Sequence, residues 1–225
     1  MTAVSLQRYM ALVFDCDGVL LNSNQVKTAA FYKAALPYGK DAANTLVSYH
    51  RNHGGISRYV KFEKFLEEMV PSGAAGPSLE SLLDSYAKYV REGLSSCSIA
   101  NDLLCLREYT AGQRWFVASG GDQDELREVF ADRGLRDWFD GGIYGSPDSK
   151  DEILQREVSS SRLSTPALFL GDSRYDHQAA ESAGLDFVFV SEWSEFDQWP
   201  EYCEHHSIPV ISKLSDLLPS NKGIS

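Results

Sequence analysis

Six short apolar runs punctuate the chain, at 10–15 (MALVFD), 114–118 (RWFVA), 142–145 (GIYG), 167–171 (ALFLG), 186–190 (DFVFV) and 208–212 (IPVIS). They are unbroken rather than alternating, as strands covered on both faces are, and helical stretches separate them. This order predicts repeated βαβ units and an α/β fold with a doubly wound (Rossmann-like), mostly parallel sheet. No run approaches the ~18 residues needed to cross a bilayer. The N-terminal stretch MTAVSLQRYMALVFDCDG carries one Arg and runs straight into acidic residues, unlike a secretory leader. Cysteines 16, 97, 105 and 203 show no CxxC spacing, so reduced thiols and a soluble, cytoplasmic protein are expected.

Two helices are marked by their ends. Asp122 can cap the helix after the second run, Glu125 can complete a capping box, and Gly134 can stop it. A second helix is expected from about Asp176 to Ala183, stopped by Gly184. Residues 22–97 break the alternation with four helical stretches and few loop signals. They read as a helical cap domain inserted into a catalytic core made of 1–21 and 98–225.

In a parallel sheet, ligands gather where the strands end at their carboxyl side. Asp15 and Asp17 follow the first run, Ser119 the second and Asp172 the fourth, with Asp176 four residues further on. Several carboxylates in one crevice cannot all stay charged without a cation. Hard oxygen ligands suit Mg²⁺, which in turn suits a phosphate. Ser119, with the N–H groups of Gly120 and Gly121 ahead of a helix, makes a plausible anion cradle. Lys150 lies between the third run and the next helix. Cys16, between the two aspartates, has no base partner in view and reads as packing.

The motifs VFDCDGVLLNS, VASGG at 117–121, Lys150 and FLGDSRYD at 169–176 appear in that order. The chain thereby resembles the haloacid dehalogenase superfamily, within it the helical-cap phosphatases similar to phosphoglycolate phosphatase and β-phosphoglucomutase. The resemblance implies an Mg²⁺-dependent phosphatase working through an aspartyl-phosphate on a small phosphorylated metabolite such as a sugar phosphate. By it, Asp15 is the nucleophile and Asp17 the acid and base. Ser119, Gly120 and Lys150 hold the phosphate. Asp15, the carbonyl of Asp17, and Asp172 bind the metal, with Asp176 either a further ligand or the residue that orients Lys150. A phosphosugar mutase of the same superfamily is the nearest rival, and such mutases place a His soon after the first motif, where LNSNQVKTAAF has none. A dehalogenase would lack Asp17, and a non-catalytic binding protein need not keep the whole set.

The formal net charge is −11, which argues against nucleic acid and anionic membranes as partners. The split is uneven. Residues 22–97 hold nine Lys or Arg against seven Asp or Glu, while the remainder carries −13. The cap loop HRNHGGISRYVKF resembles the loop that reaches the site in sugar-phosphate members, so Arg58, His53, Lys61 and Arg51 are candidates for contact with the outer part of a substrate. A solvated basic helix face is the competing reading. The sequence leaves monomer and dimer both open.

Overall fold

All six expected strands form, and they join one sheet. β1 (Ala11–Phe14), β2 (Arg114–Asp122), β3 (Gly142–Ser146), β4 (Ala167–Gly171), β5 (Asp186–Val190) and β6 (Val210–Ile211) pair in parallel in the order β3-β2-β1-β4-β5-β6. The structure, a computed structural model, describes residues 4–71 and 73–219. Side chains alternate across the sheet as the pleat demands. Leu12 and Phe14 enter one apolar cluster, and Ala11 and Val13 enter the other. Both faces are dry, which is why the runs are continuous rather than alternating. Fully burying a Phe or Leu side chain contributes roughly 1.5–3 kcal/mol.

Helices cover both faces. α1 (Asn24–Ala35), α2 (Lys40–Asn52), α3 (Arg58–Lys64) and α4 (Leu79–Ser96) arise from the helical stretch. They pack on one another, with α4 also meeting α6, whereas α5 (Leu103–Tyr109) and α6 (Gln123–Asp132) lie on one side of the sheet. α7 (Lys150–Ser159), α8 (Arg174–Ser182) and α9 (Trp199–His205) lie on the other. α4 shows why these segments are helical. Leu82, Tyr86, Val90 and Leu94 recur every fourth residue, all are buried, and Ser78 caps the start by accepting from the Ser81 N–H. Phe31 packs at a tilt against Phe62 and Tyr86 at ring distances of 5.1 and 4.4 Å, and this group continues into the cluster under β1.

Three local expectations shift. β2 runs beyond 118, through Ser119, Gly120 and Gly121 to Asp122, with an irregular register against β3 over that stretch. β6 shrinks to two residues at the sheet edge, after Pro209, which has no N–H to pair. α8 starts two residues early because Ser173, not Asp176, is its cap. Among the described residues no helix is long and apolar enough to cross a membrane, and all four cysteines are free.

The strand order reverses between β1 and β4. Connections after β1 travel one way along the sheet and those after β4 the other, so a crevice opens at their carboxyl ends.

Candidate active site

The turn after β1 delivers the first acids. The Asp15 N–H bonds Leu170 O, the last link across to β4, and Leu20 and Leu21 then fold their N–H groups back onto Cys16 O. Gly18 allows this turn. Its φ is +76°, and a Cβ there would lie 2.1 Å from Asp172 Oδ2. The two aspartates diverge as a result. Asp15 points into the crevice, whereas the Asp17 carboxylate turns to Ser23 Oγ at 2.6 Å and Lys27 Nζ at 2.5 Å. Cys16 between them is fully buried, and burial pushes its thiol well above the usual range, in keeping with packing.

Lys150 is the first residue of α7, which Ser149 and Glu152 close with a reciprocal capping box. A cation at a helix N-terminus opposes the helix dipole. Here two acids offset it: Nζ lies 2.9 Å from Asp15 Oδ1 and also donates to Asp176 Oδ1. Asp176 sits at the third position of α8, and its Oδ2 accepts from the N–H groups of Asp172 and Ser173 and from Ser173 Oγ at 2.6 Å. Both its oxygens are therefore engaged. Asp172 differs: it is 6% exposed, and its one side-chain partner among the described residues is Asn24 Nδ2 at 2.8 Å.

Electrostatics follow from burial. Asp15 is pushed up to about 7, first by burial and then by Asp176 and Asp17, against the pull of Lys150. Asp172 is raised well above the carboxylate range by burial, Asp15 and Asp176. Burial alone would raise Asp17 as well, but Lys27 and Ser23 hold it below its ordinary value. Lys150 stays a firm cation, because its two acids outweigh burial. Asp15, Asp172 and Asp176 each bring a carboxylate oxygen within 4.8 Å of the others. Burial and the neighbouring acids make Asp15 and Asp172 resist ionisation, and the donors are hard oxygens, so the set suits a hard divalent cation such as Mg²⁺.

Ser119 is fully buried within β2, and its Oγ accepts from the Gly121 N–H at 3.0 Å. The cap loop closes directly above. A Cβ on Gly120 would lie 2.0 Å from Gly55 O, and one on Gly55 would lie 3.2 Å from Lys150 Nζ. One pocket is lined from both sides, by Asp15, Asp17 and Asp172 below and by Lys27, Arg58 and Lys61 above.

The cap candidates separate sharply. His53 is exposed, stacks on Tyr49 at a ring distance of 4.0 Å and does not line this pocket, so it is not brought to the site. Arg58 lines the pocket, but its guanidinium pairs with Glu125 at 2.7 Å and Asp122 at 3.4 Å. Tyr59 adds a hydrogen bond to Asp122 Oδ2 at 2.8 Å. Asp122 does cap α6 by accepting from the Glu125 N–H, yet the expected capping box stays open because Glu125 turns to Arg58. Lys61 is buried, and its Nζ lies 2.7 Å from His50 Nδ1. Arg51 lines the pocket from an exposed position.

Lys27, Asn24 and Glu125 were not singled out as site residues by the sequence reading. Ser23 and Lys27 are four residues apart and Asn24 and Lys27 three, so one helix face carries all three towards the crevice. That spacing was the available signal.

The family model for haloacid dehalogenase-like hydrolases matches residues 9–184. A phosphoglycolate phosphatase from Cereibacter sphaeroides is 22% identical over 210 residues, covering 92% of this chain and 96% of the relative. Among solved structures, CbbY from Rhodobacter sphaeroides in complex with phosphate superposes with a TM-score of 0.66 at 16% identity, over 93% of this chain and 99% of that one. A haloacid dehalogenase-like hydrolase from Streptococcus pneumoniae gives 0.66 at 17% identity, over 92% and 94%. The match to the family spans most of the chain and both ends of its site, and the chain belongs to the haloacid dehalogenase-like hydrolases.

Proposed function

We propose that this hydrolase is a cytoplasmic phosphatase that releases phosphate from a small phosphorylated metabolite by way of Asp15, with Mg²⁺ as its resident cation and residues 22–97 as a cap over the site. The meeting of Asp15, Lys150 and Asp172 at the switch point, beneath a pocket closed by the cap loop, carries this reading. The relative named for phosphoglycolate and the neighbour solved with phosphate support the substrate class.

In the first step a carboxylate oxygen of Asp15 attacks phosphorus, the phosphorus–oxygen ester bond breaks, and the leaving oxygen takes its electron pair together with a proton from Asp17, which must take up that proton from solvent and let go of Lys27 as substrate binds. In the second, Asp17 takes a proton from water as that water attacks phosphorus, which frees inorganic phosphate and restores Asp15. Ser119, Gly120 and Lys150 hold the phosphoryl oxygens through both steps. Mg²⁺ held by Asp15, Asp172 and the carbonyl of Asp17 would neutralise charge on those oxygens. Asp176, with both oxygens engaged, serves to aim Lys150 at Asp15. Lys27 and Ser23 hold Asp17 in place, and the loop at Gly54–Gly55 keeps bulk water out.

Phosphate release from about a hundred phosphorylated metabolites tests this directly. Turnover of one or more small monoesters is the expected result, and no turnover with Mg²⁺ present would contradict it. The same assay measures the cap latch. Arg58→Ala leaves the buried Glu125 carboxylate without its side-chain partner among the described residues, so closure should weaken. The kcat/KM is expected to drop roughly 5- to 50-fold, by a similar factor for every substrate. A loss confined to multiply charged substrates would instead make Arg58 a substrate ligand.

A further inference from the structure

We propose that Lys61 and His50 form a subsite for a second anionic group, a carboxylate or a second phosphate, on the phosphomonoester that enters this pocket. The inference rests on the phosphatase reading and narrows its substrate class.

Arg51 lines the pocket from an exposed position, and the buried cations around it are otherwise paired. Lys27 is paired with Asp17, Arg58 with Glu125 and Asp122, and Lys150 with Asp15 and Asp176. Lys61 is the exception among the buried ones. It is 1% exposed, it lines the pocket, and among the described residues its Nζ has His50 as its polar partner and no carboxylate. Apolar surface backs it: Nζ lies 5.5 Å from the Phe31 ring, which also packs on His50 at 4.6 Å. A buried amine with no counter-charge is costly, and an anion arriving from the pocket supplies the missing partner.

Its surroundings agree. Burial, and then Lys27, pull the Lys61 amine down to about 7. His50 is pushed well below its ordinary range by burial and by Lys61. Both groups are thus short of negative charge, while Asp15 and Asp17 lie near enough to act on Lys61. The subsite therefore shares one cavity with the phosphate end, which favours a short substrate carrying both groups. Arg58, to which the loop resemblance pointed first, has two acids already and offers less.

The test uses two ester pairs that differ in the second anion: phosphoglycolate against ethyl phosphate, and propane-1,3-diol bisphosphate against propyl phosphate. The wild-type protein is expected to favour the charged member of at least one pair by about tenfold or more in kcat/KM, because a built polar subsite rejects an analogue that leaves it unpaired. The favoured pair identifies the source of the anion. Lys61→Met should bring that ratio to within about threefold of one, and Lys61→Gln should do the same if the methionine variant fails to fold. Ratios near one in the wild type for both pairs overturn the subsite and leave the phosphatase standing. So does a lysine variant that keeps the wild-type ratio. If none of the four esters is hydrolysed, turnover of another monoester in the wider panel overturns the subsite alone, and turnover of none overturns the phosphatase reading with it.

Discussion

Asp15→Asn is expected to lower kcat/KM by roughly 10,000-fold or more, the scale seen when a nucleophile that acts as one unit with its neighbours is removed. The amide has nearly the same shape as the carboxylate but cannot form the acyl phosphate bond. The fold should survive. Asp15 is 2% exposed, and burial already opposes its charge, pushing it up to about 7. A neutral side chain removes that opposition, while Lys150 keeps Asp176 as a partner. The folded state raises this acid, so its charge costs stability above the unfolded value near 4 and the cost is present in full above 7. The thermal midpoint of the asparagine variant should therefore match or exceed that of the wild type at pH 8. Activity within about tenfold of wild type in a folded variant would remove Asp15 from the role of nucleophile.

Removing divalent cations should have the next largest effect. Excess chelator is expected to stop turnover, and added Mg²⁺ to restore it. The reason lies in the balance of charge. Asp15 has Lys150 within 2.9 Å, but Asp172 has only the neutral amide of Asn24, and both carboxylates are buried. Bringing in a phosphate adds further negative charge to that corner, which a single ammonium does not offset. A readout independent of turnover is available. A cation that binds only the folded state should raise its stability by about 2.7 kcal/mol at a hundredfold excess over its Kd. Asp172→Ala should abolish that gain. Full activity after exhaustive chelation would take Mg²⁺ out of the account.

The sheet was legible because its signal is local. Phe14, Val117 and Leu170 belong to continuous apolar runs, and each run needs covering on both faces wherever it sits in the chain. Asp15 and Asp172 were legible for the same reason, since a residue just past a strand inherits the position of that strand, and Ser119 directly follows an apolar run although β2 continues through it. Asp176 was half-legible. Its place four residues after Asp172 is evident, but only tertiary packing shows both its oxygens engaged, one by Lys150 and the other around Ser173.

Contacts between distant segments were harder to read. Arg58 and Glu125 are 67 residues apart, and their pairing depends on how α3 meets α6. The pairing engages the guanidinium expected to meet substrate and leaves the capping box of α6 open. Lys27 meets Asp17 because α1 leaves the turn at one particular angle. His53 looked as well placed as Lys61 in the same loop. One faces solvent and the other the pocket, because the buried side of α3 takes Lys61 and Phe62 while α2 ends at Asn52.

The proposed reaction turns on one bond, between phosphorus and an Asp15 oxygen. The direct measurement is rapid acid quench of wild-type protein during turnover of its best ester, followed by mass spectrometry of the peptide carrying Asp15. A gain of one phosphoryl group on Asp15, absent before substrate is added and lost as substrate runs out, is the predicted result. Phosphate release at full rate with Asp15 unmodified throughout, or with the phosphoryl group on another residue, would contradict it.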